Sequence, residues 1–264
     1  TSLKRVDLRS VKTNKGTLSD ANTNIDGAKV SREQVEIILN LKEGELFFGR
    51  GRGDLRNLDL SGLDLSGLTF DHANLEGSNM SGTNLENAKF INSTNLNKTD
   101  LSNIKTNSET QFSEDTQSSG VRINERQVDE ILSRDGYIGR KKGDLHELNL
   151  SKLCLSRKKF DNVNIKGTNF SESNLKDVSI NGKIQLDEYT NFSGAKMDKN
   201  FIKFLCKKLA ENVKLKLEKV DLSLIKIEKA RKPFRKHYVK NEINQNLCKL
   251  SLSECIVNFR TVKY

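Results

Sequence analysis

A large apolar residue returns at every fifth position over residues 55–90, and this spacing restricts the folds open to the chain. An α-helix buries residues three and four apart, and a β-strand buries residues two apart, so neither element produces a period of five. The residues that hold the period are Leu55, Leu60, Leu65, Phe70, Leu75, Met80, Leu85 and Phe90. After a slip of one residue near Thr94, the period resumes at Leu96 and Leu101.

Each of these residues is the centre of a pentad, a five-residue unit whose other positions also repeat. Around Leu75, for example, a small residue (Ala73) stands two before the centre, Asn74 directly before it and Gly77 two after it. The centre and the position two before it both point inward, because they are separated by the strand period. Asp or Asn followed by Gly favours a turn. The sequence therefore predicts a chain that turns a corner every five residues and stacks its coils at about 4.7–4.9 Å.

The stretch HANLEGSNMSGTNLENAKF (residues 72–90) resembles the pentapeptide-repeat family, whose loose pattern is A(D/N)LXX. The resemblance implies that four pentads form one squared coil of a right-handed β-helix. We therefore predict an all-β solenoid, a right-handed quadrilateral β-helix of pentapeptide repeats in several blocks, interrupted by short α-helices.

A second block of pentads, with centres every five residues from Leu145 to Ile180, matches the first block at a constant offset of 90 residues. The segments REQVEIIL (32–39) and ERQVDEIL (125–132) are also alike, and both predict a capped amphipathic helix. Lys158 stands where the first block has Leu68. Because burying an unpaired lysine is costly, we expect a distorted corner there or a side chain that reaches solvent.

The repeats divide the chain into three predicted parts. The first is 1–123, with an N-terminal coil, a helix over about 31–41 and pentads over 53–103. The second is 124–198, with a helix over about 124–133 and pentads over 143–182. The third is 199–264, with a helix over about 198–211 and short coils over 213–228 and 247–264. The chain begins inside a repeat, and the sequence does not decide whether it is a piece of a longer protein.

The net charge of +10 is concentrated near the C-terminal end. Residues 199–264 hold 17 Lys and Arg against 6 Asp and Glu, a net of +11, which leaves −1 for residues 1–198. The four cysteines are scattered, which favours reduced thiols over a disulfide framework. No stretch has the roughly 20 apolar residues of a membrane span, and no signal peptide is recognisable. We expect a cytosolic protein, or one delivered into a host cell.

The sequence does not bring together a nucleophile, a base and an orienting group, so we predict that the protein is not an enzyme and needs no cofactor or metal. His72 and His146 follow pentad centres on the outward face, and neither has a cysteine or carboxylate at ligand spacing. Cys154 is also expected to point outward, with no base nearby in sequence.

Basic segments are the candidate partner-binding sites. The run KARKPFRKHYVK (229–240) combines cations with aromatic residues, which suits phosphate groups, acidic headgroups or an acidic protein surface. Two glycine-flanked loops, GRGRGD (49–54) and GRKKGD (139–144), are simple connectors in one interpretation and basic binding loops in the other. The candidate residues are Lys229, Arg231, Lys232, Phe234, Arg235, Lys236, Tyr238 and Lys240 in the run, and Arg50, Arg52, Arg140, Lys141 and Lys142 in the loops.

Solenoids present long regular faces, so we predict a non-enzymatic scaffold that binds a protein partner, as a bacterial effector or adaptor does. One alternative is association with an anionic membrane or nucleic acid through residues 229–240. The resemblance also raises DNA-mimicking proteins that bind gyrase, but those are strongly negative, and the charge distribution here disfavours that class. The sequence specifies neither the partner nor the oligomeric state.

Overall fold

The computed structural model describes residues 1–11 and 22–210, in which short extended segments joined by turns wind into stacked coils. The predicted all-β solenoid with interspersed short helices is confirmed. The chain divides into two compact units between Lys141 and Lys142, and each is described by itself. The helices are α1 (Arg32–Leu39), α2 (Glu125–Ser133) and α3 (Lys199–Ala210). The strands are β1 (Thr69–Asp71), β2 (Lys89–Ile91), β3 (Gln111–Phe112), β4 (Lys159–Asp161), β5 (Asn174–Leu175), β6 (Ser179–Asn181) and β7 (Lys196–Met197).

Residues 20 apart pair in parallel in the first unit, so four pentads complete one turn of the coil. The four sides of the turn that begins at Asp54 pair with those of the next turn at Asp54 with Asn74, Asp59 with Asn79, Asp64 with Asn84, and Phe70 with Phe90. The backbone hydrogen bonds between turns are short, for example 2.8 Å from Leu55 N to Asn74 O. This ladder explains why a fixed period of five recurs, because each side of the coil must present one inward residue in register with the side above it.

The core of the first unit is a narrow column filled by the pentad centres. All eight centres from Leu55 to Phe90 are completely buried. On one side of the coil the centres are aromatic, and the rings of Phe70, Phe90 and Phe112 stack with centroid separations of 4.7 and 4.6 Å and nearly parallel planes. The column therefore combines apolar burial with continuous ring stacking.

The corners follow the chemistry that the sequence predicts. The residue two after a centre has a positive φ, which Gly62 (70°) adopts easily and which Asn57 (53°) also adopts. The carboxylate Oδ1 of Asp59 accepts a hydrogen bond from the backbone N–H of Ser61 at 3.1 Å, and Leu63 N–H donates to Leu60 O at 3.2 Å. The side chain directly before each centre and the residue two after the centre thus fix the turn together.

Threonine takes the inward position two before several centres without leaving a buried hydroxyl unsatisfied. Thr99 is fully buried, and its Oγ1 donates to the carbonyl oxygen of Leu75, one coil below, at 2.9 Å. Thr83 instead donates to Met80 O at 2.8 Å. Because each hydroxyl has a carbonyl partner, a polar residue is tolerated inside the column.

The one-residue slip predicted near Thr94 is an insertion at a corner. Asn92 and Ser93 both have positive φ, and the pairing offset rises from 20 to 21 at Asn74 with Asn95. A further insertion raises the offset to 22 where β2 pairs with β3. The coil continues to Ile123, past the predicted end of the block at residue 103, and these insertions hid the extension by breaking the period.

α1 and α2 begin with the same capping device, which also ties each helix to a coil. Ser31 and Asn124 form capping boxes with Gln34 and Gln127. Gln34 Nε2 donates to Leu8 O at 2.9 Å, and Gln127 Nε2 donates to Leu101 O at 2.8 Å. Both glutamines are buried, so the helix N-terminus and the end of the coil share one hydrogen-bonded junction.

The second unit repeats the column, with centres from Leu145 to Leu175 fully buried and Ile180 half-buried. Lys158 N–H donates to Leu155 O at 3.3 Å, the same turn bond that Leu68 makes with Leu65, so the expected corner distortion is absent. Leu68 is itself half-buried. Lys158 also lies partly in solvent, which agrees with the alternative expectation of a side chain that reaches solvent. This position is therefore not an enclosed core site.

The sequence predicts three parts, with boundaries after residues 123 and 198, whereas the structure divides into two units after Lys141. The sequence divides the chain after residue 123, whereas contacts place α2 in the first unit, which ends at Lys141. The predicted coils over 213–228 and 247–264 lie outside the described residues. In the described part of the chain, no helix is both long and apolar enough to cross a bilayer.

Candidate binding surfaces

Arg50, a predicted binding residue, is buried in the first unit. It closes a two-residue hairpin with Phe47, in which the backbone groups of the two residues bond each other at 2.9 Å in both directions. Its guanidinium contacts Asp26 Oδ1 at 2.7 Å and Asp54 Oδ1 at 3.1 Å. Only 7% of the residue is exposed, so Arg50 joins the hairpin to the coils and cannot meet a partner directly.

The carboxylate of Asp54 lies between two arginines. Partial burial alone would raise the pKa of Asp54, but the hydrogen bond from Arg56 and the charge of Arg50 outweigh that effect and hold this pKa below its usual value of 3.8. Asp54 is therefore ionised at neutral pH and balances part of the local positive charge.

A polar cleft of about 330 Å³ adjoins this cluster in the first unit. Its lining residues are Asn22, Thr23, Asn24, Asp26, Gly49, Arg50, Asp54, Arg56 and Asn57. Small-molecule sites are usually lined by apolar and aromatic side chains with a few polar groups, and this cleft lacks such an apolar lining.

The other predicted loop residues divide into buried and exposed groups. Arg140 is 4% exposed, and its Nη2 donates to the Oγ of Ser118 at 2.9 Å, so it is also structural. The side chain of Arg52 is 60% exposed and lies 3.7 Å from Asp71 Oδ2. Lys141 and Lys142 are exposed. Of the basic side chains in the two loops, only those of Arg52, Lys141 and Lys142 are exposed enough to contact a partner.

The basic run 229–240 lies outside the described residues. This run contains Lys229, Arg231, Lys232, Phe234, Arg235, Lys236, Tyr238 and Lys240, whose proposed role stays a prediction.

Each outward histidine has a carboxylate neighbour that sequence reasoning did not assign. His72 Nδ1 lies 2.8 Å from Asp71 Oδ1, and His146 Nδ1 lies 2.7 Å from Asp144 Oδ1. Cys154 is exposed as expected. Among the described residues, no three side chains of His, Cys, Asp or Glu are grouped as metal ligands would be.

A basic surface that the sequence analysis did not single out lies on α3. Lys199, Lys203 and Lys207 are exposed and recur every four residues on one side of this helix. The signal was present in the sequence, but it was included in the general positive charge of residues 199–264.

A comparison with protein-family models agrees with the coil geometry. The family model of pentapeptide repeats matches residues 70–105 in eight copies. A search of curated proteins found no match.

Several solved structures are similar to this chain. A pentapeptide repeat protein from the Arabidopsis thaliana thylakoid lumen is 21% identical over 59% of this chain and 77% of its own, with a TM-score of 0.16. HetL from the cyanobacterium Nostoc sp. strain PCC 7120, involved in heterocyst differentiation regulation, is 14% identical over 84% of each chain, with a TM-score of 0.23. QnrB1, a plasmid-mediated fluoroquinolone resistance protein, is 14% identical over 79% of this chain and 96% of its own, with a TM-score of 0.21.

The family match lies within the first unit, where the coils run from the pairing of Asp54 with Asn74 to that of Asp100 with Arg122. Residues 70–105 of this chain therefore match pentapeptide repeats, and the parallel pairing between coils extends on either side of the matched segment.

Proposed function

We propose that this protein is a non-enzymatic scaffold, of the effector or adaptor type, that binds a protein partner through the outward faces of its coils. The observation that carries the proposal is the regular row of short polar side chains on one side of each unit. In the first unit this row consists of Asp59, Ser61, Asn79, Ser81, Asp100 and Ser102. In the second unit the corresponding row consists of Asn149, Ser151, Asn169, Ser171, Asn191 and Ser193.

These rows are held in place by their own hydrogen bonds. Asn79 Nδ2 donates to Asp59 Oδ1 at 3.2 Å, and Asn191 Nδ2 donates to Asn169 Oδ1 at 3.1 Å. A surface that is already ordered loses little conformational entropy on binding. Short side chains also leave the face flat, which suits a broad protein surface better than a small molecule.

The experiment first captures a partner at physiological salt and then asks which face holds it. The triple variant S61R/S81R/S102R places three bulky charges on the row of the first unit. The matched variant S151R/S171R/S193R makes the same chemical change on the row of the second unit. We expect one triple to abolish binding and the other to leave it intact.

The proposal fails if both triples bind the partner as well as the unchanged protein does. Loss of binding on neutralising Arg231, Lys232, Arg235 and Lys236 alone would instead favour the basic run. Protection of gyrase in a supercoiling assay would favour the DNA-mimicking class. Circular dichroism of each variant separates a lost contact from a lost fold.

A second candidate is electrostatic association with an anionic membrane or nucleic acid through residues 229–240. Its support is the composition of the run, which has six Lys and Arg and no Asp or Glu. Salt-sensitive binding that disappears with the same neutralising substitutions would support this candidate.

A further inference from the structure

α3 is amphipathic, with buried apolar residues on one side and a line of exposed lysines on another. Phe201, Ile202 and Leu205 are 1–2% exposed and face the protein interior. Lys199, Lys203 and Lys207 are exposed. Their spacing of four residues places them on one side of the helix, about 6 Å apart along its axis. The result is a line of ammonium groups along one side of the helix.

The three helices in the described part of this chain can be compared with one another, because each begins with a capped turn that follows a coil. α1 contains one Arg and two Glu, and α2 contains one Arg and three acidic residues. α3 contains four Lys and no acidic residue. The position five after the N-cap is Glu36 in α1, Asp129 in α2 and Lys203 in α3. The basic side is therefore specific to α3 and is not required by the helix or its cap.

Lys199, Lys203 and Lys207 form no ion pair with an acid among the residues that the structure describes. In α1, by contrast, Arg32 pairs with Glu36 at 2.8 Å. No carboxylate of residues 22–210 lies within ion-pair distance of Lys199, Lys203 or Lys207. Asp198, the acid next to Lys199 in sequence, is already used by the backbone.

The cap of α3 occupies both oxygens of the Asp198 carboxylate. Its Oδ1 accepts the N–H groups of Asn200 and Phe201, each at 2.8 Å, and its Oδ2 accepts the N–H of Asp177 at 2.7 Å. Lys196, just before this cap, is exposed and lies in β7, which pairs with β5. We define the lysine face as Lys196, Lys199, Lys203 and Lys207.

We propose that the lysine face binds the phosphate backbone of a nucleic acid duplex. A line of point charges complements a line of phosphates, and phosphate contacts carry affinity without sequence information. Protein interfaces are depleted in lysine and depend on buried aromatic or arginine anchors, and the exposed side of α3 has neither. A helix that lies in a bilayer buries its apolar side there, whereas the apolar side of α3 is already buried within the protein.

The test measures duplex binding by the full chain as a function of salt. Fluorescence anisotropy with a mixed-sequence DNA of about 20 base pairs would be recorded between about 50 and 200 mM salt. The variant K199Q/K203Q/K207Q removes the helical part of the lysine face. The variant K152Q/K166Q/K183Q removes three other exposed lysines of the same unit and changes the net charge equally. Both variants retain residues 229–240, so any contribution of that run cancels in the comparison.

Each released phosphate contact contributes about 0.9 to the slope of log K against log salt concentration. We expect the magnitude of the slope to fall by about 2.7 in K199Q/K203Q/K207Q, with at least about a tenfold weaker affinity at low salt. The slope of the control variant should stay within about 0.5 of the original. Circular dichroism confirms that both variants are folded.

Three results would overturn the proposal. The first is that the unchanged protein does not bind the duplex at the lowest salt, and the second is that both variants lose duplex affinity equally. The third is that K199Q/K203Q/K207Q still binds the duplex and loses binding only to vesicles of phosphatidylcholine with phosphatidylserine. The third result would assign the lysine face to a membrane. The proposal is independent of the scaffold function, because arginine substitutions on the serine rows do not remove any lysine of this face.

Discussion

Phe90 provides a direct test of the stacked column. Its ring lies between those of Phe70, 4.7 Å away and tilted by 5°, and Phe112, 4.6 Å away and tilted by 1°. It is completely buried, and its strand β2 pairs with β1 on one side and β3 on the other. The substitution Phe90→Ala would therefore remove the contents of one layer and two ring contacts together.

The expected cost follows from these contacts. Truncating a buried Phe to Ala costs about 3–5 kcal/mol, including the cavity that remains. The upper part of this range is expected here, because each aromatic pair contributes about 0.5–1.5 kcal/mol beyond burial. The variant Phe90→Leu keeps most of the apolar volume and loses the ring contacts, so its cost should be about 1–3 kcal/mol.

Hydrogen exchange with peptide-level mass spectrometry suits this test, since repeat proteins respond mainly in neighbouring coils. A loss of 3–5 kcal/mol corresponds to roughly 10²- to 10⁴-fold faster exchange of the protected amides. We expect this acceleration over 84–112 in Phe90→Ala and little change over 145–175, which serves as the internal reference. Less than tenfold acceleration around Phe90, or equal acceleration in both segments, would refute the stacked-column argument.

Two further predictions concern the first unit. Gly139 has a φ of 72°, and a Cβ added there would lie 2.9 Å from Cβ of Phe112, so Gly139→Ala should lower the free energy of unfolding by about 2–4 kcal/mol in thermal unfolding. Gly136 has a φ of 80° with open space around it, so Gly136→Ala should cost only about 1 kcal/mol. Equal costs would show that the contact with Phe112 is unimportant. The folded-state pKa of Asp54 lies below 3.8, so between that pKa and 3.8 the unfolded chain binds more protons than the folded protein. The stability that ionised Asp54 contributes is therefore present above pH 3.8 and is lost as the pH falls through the folded-state pKa. Asp54→Asn should therefore flatten the acid side of the urea-midpoint profile, and an unchanged profile would contradict the ion pairing with Arg56.

The inward positions of this fold could be predicted from the sequence because the backbone dictates them. Each side of the coil turns two residues inward, the centre and the residue two before it, so Leu75 and Ala73 identify their own positions. The turn likewise requires a positive φ two after the centre, which marks Gly62 and Gly77. Such local rules repeat without reference to distant residues, and this explains why the core column was predictable.

The hairpin around Arg50 was not predictable for the opposite reason. Local composition suggested an exposed basic loop, but Arg50 is buried because Asp26, 24 residues earlier, faces it across the stack. Phe48 holds a positive φ of 47°, which is unusual for a bulky residue, and its ring packs against Phe47 at 4.6 Å. Packing between distant segments thus overrides the local preference, and no short sequence pattern records it.

Residues that the fold requires can also be distinguished from residues that it does not require, and this distinction indicates which surfaces carry function. Gln34 and Gln127 recur because each must satisfy the junction between a helix and a coil, whereas Asp198 caps α3 with its carboxylate and leaves Phe201 free to pack inward. The exposed lysines of α3 take no part in such a junction. Glu36 of α1 pairs with Arg32 at 2.8 Å, whereas Lys203 at the equivalent position of α3 is not required by the cap, and we therefore propose that it serves binding. In a solenoid, departures among equivalent outward positions are therefore stronger indicators of a binding surface than basic residues taken one at a time.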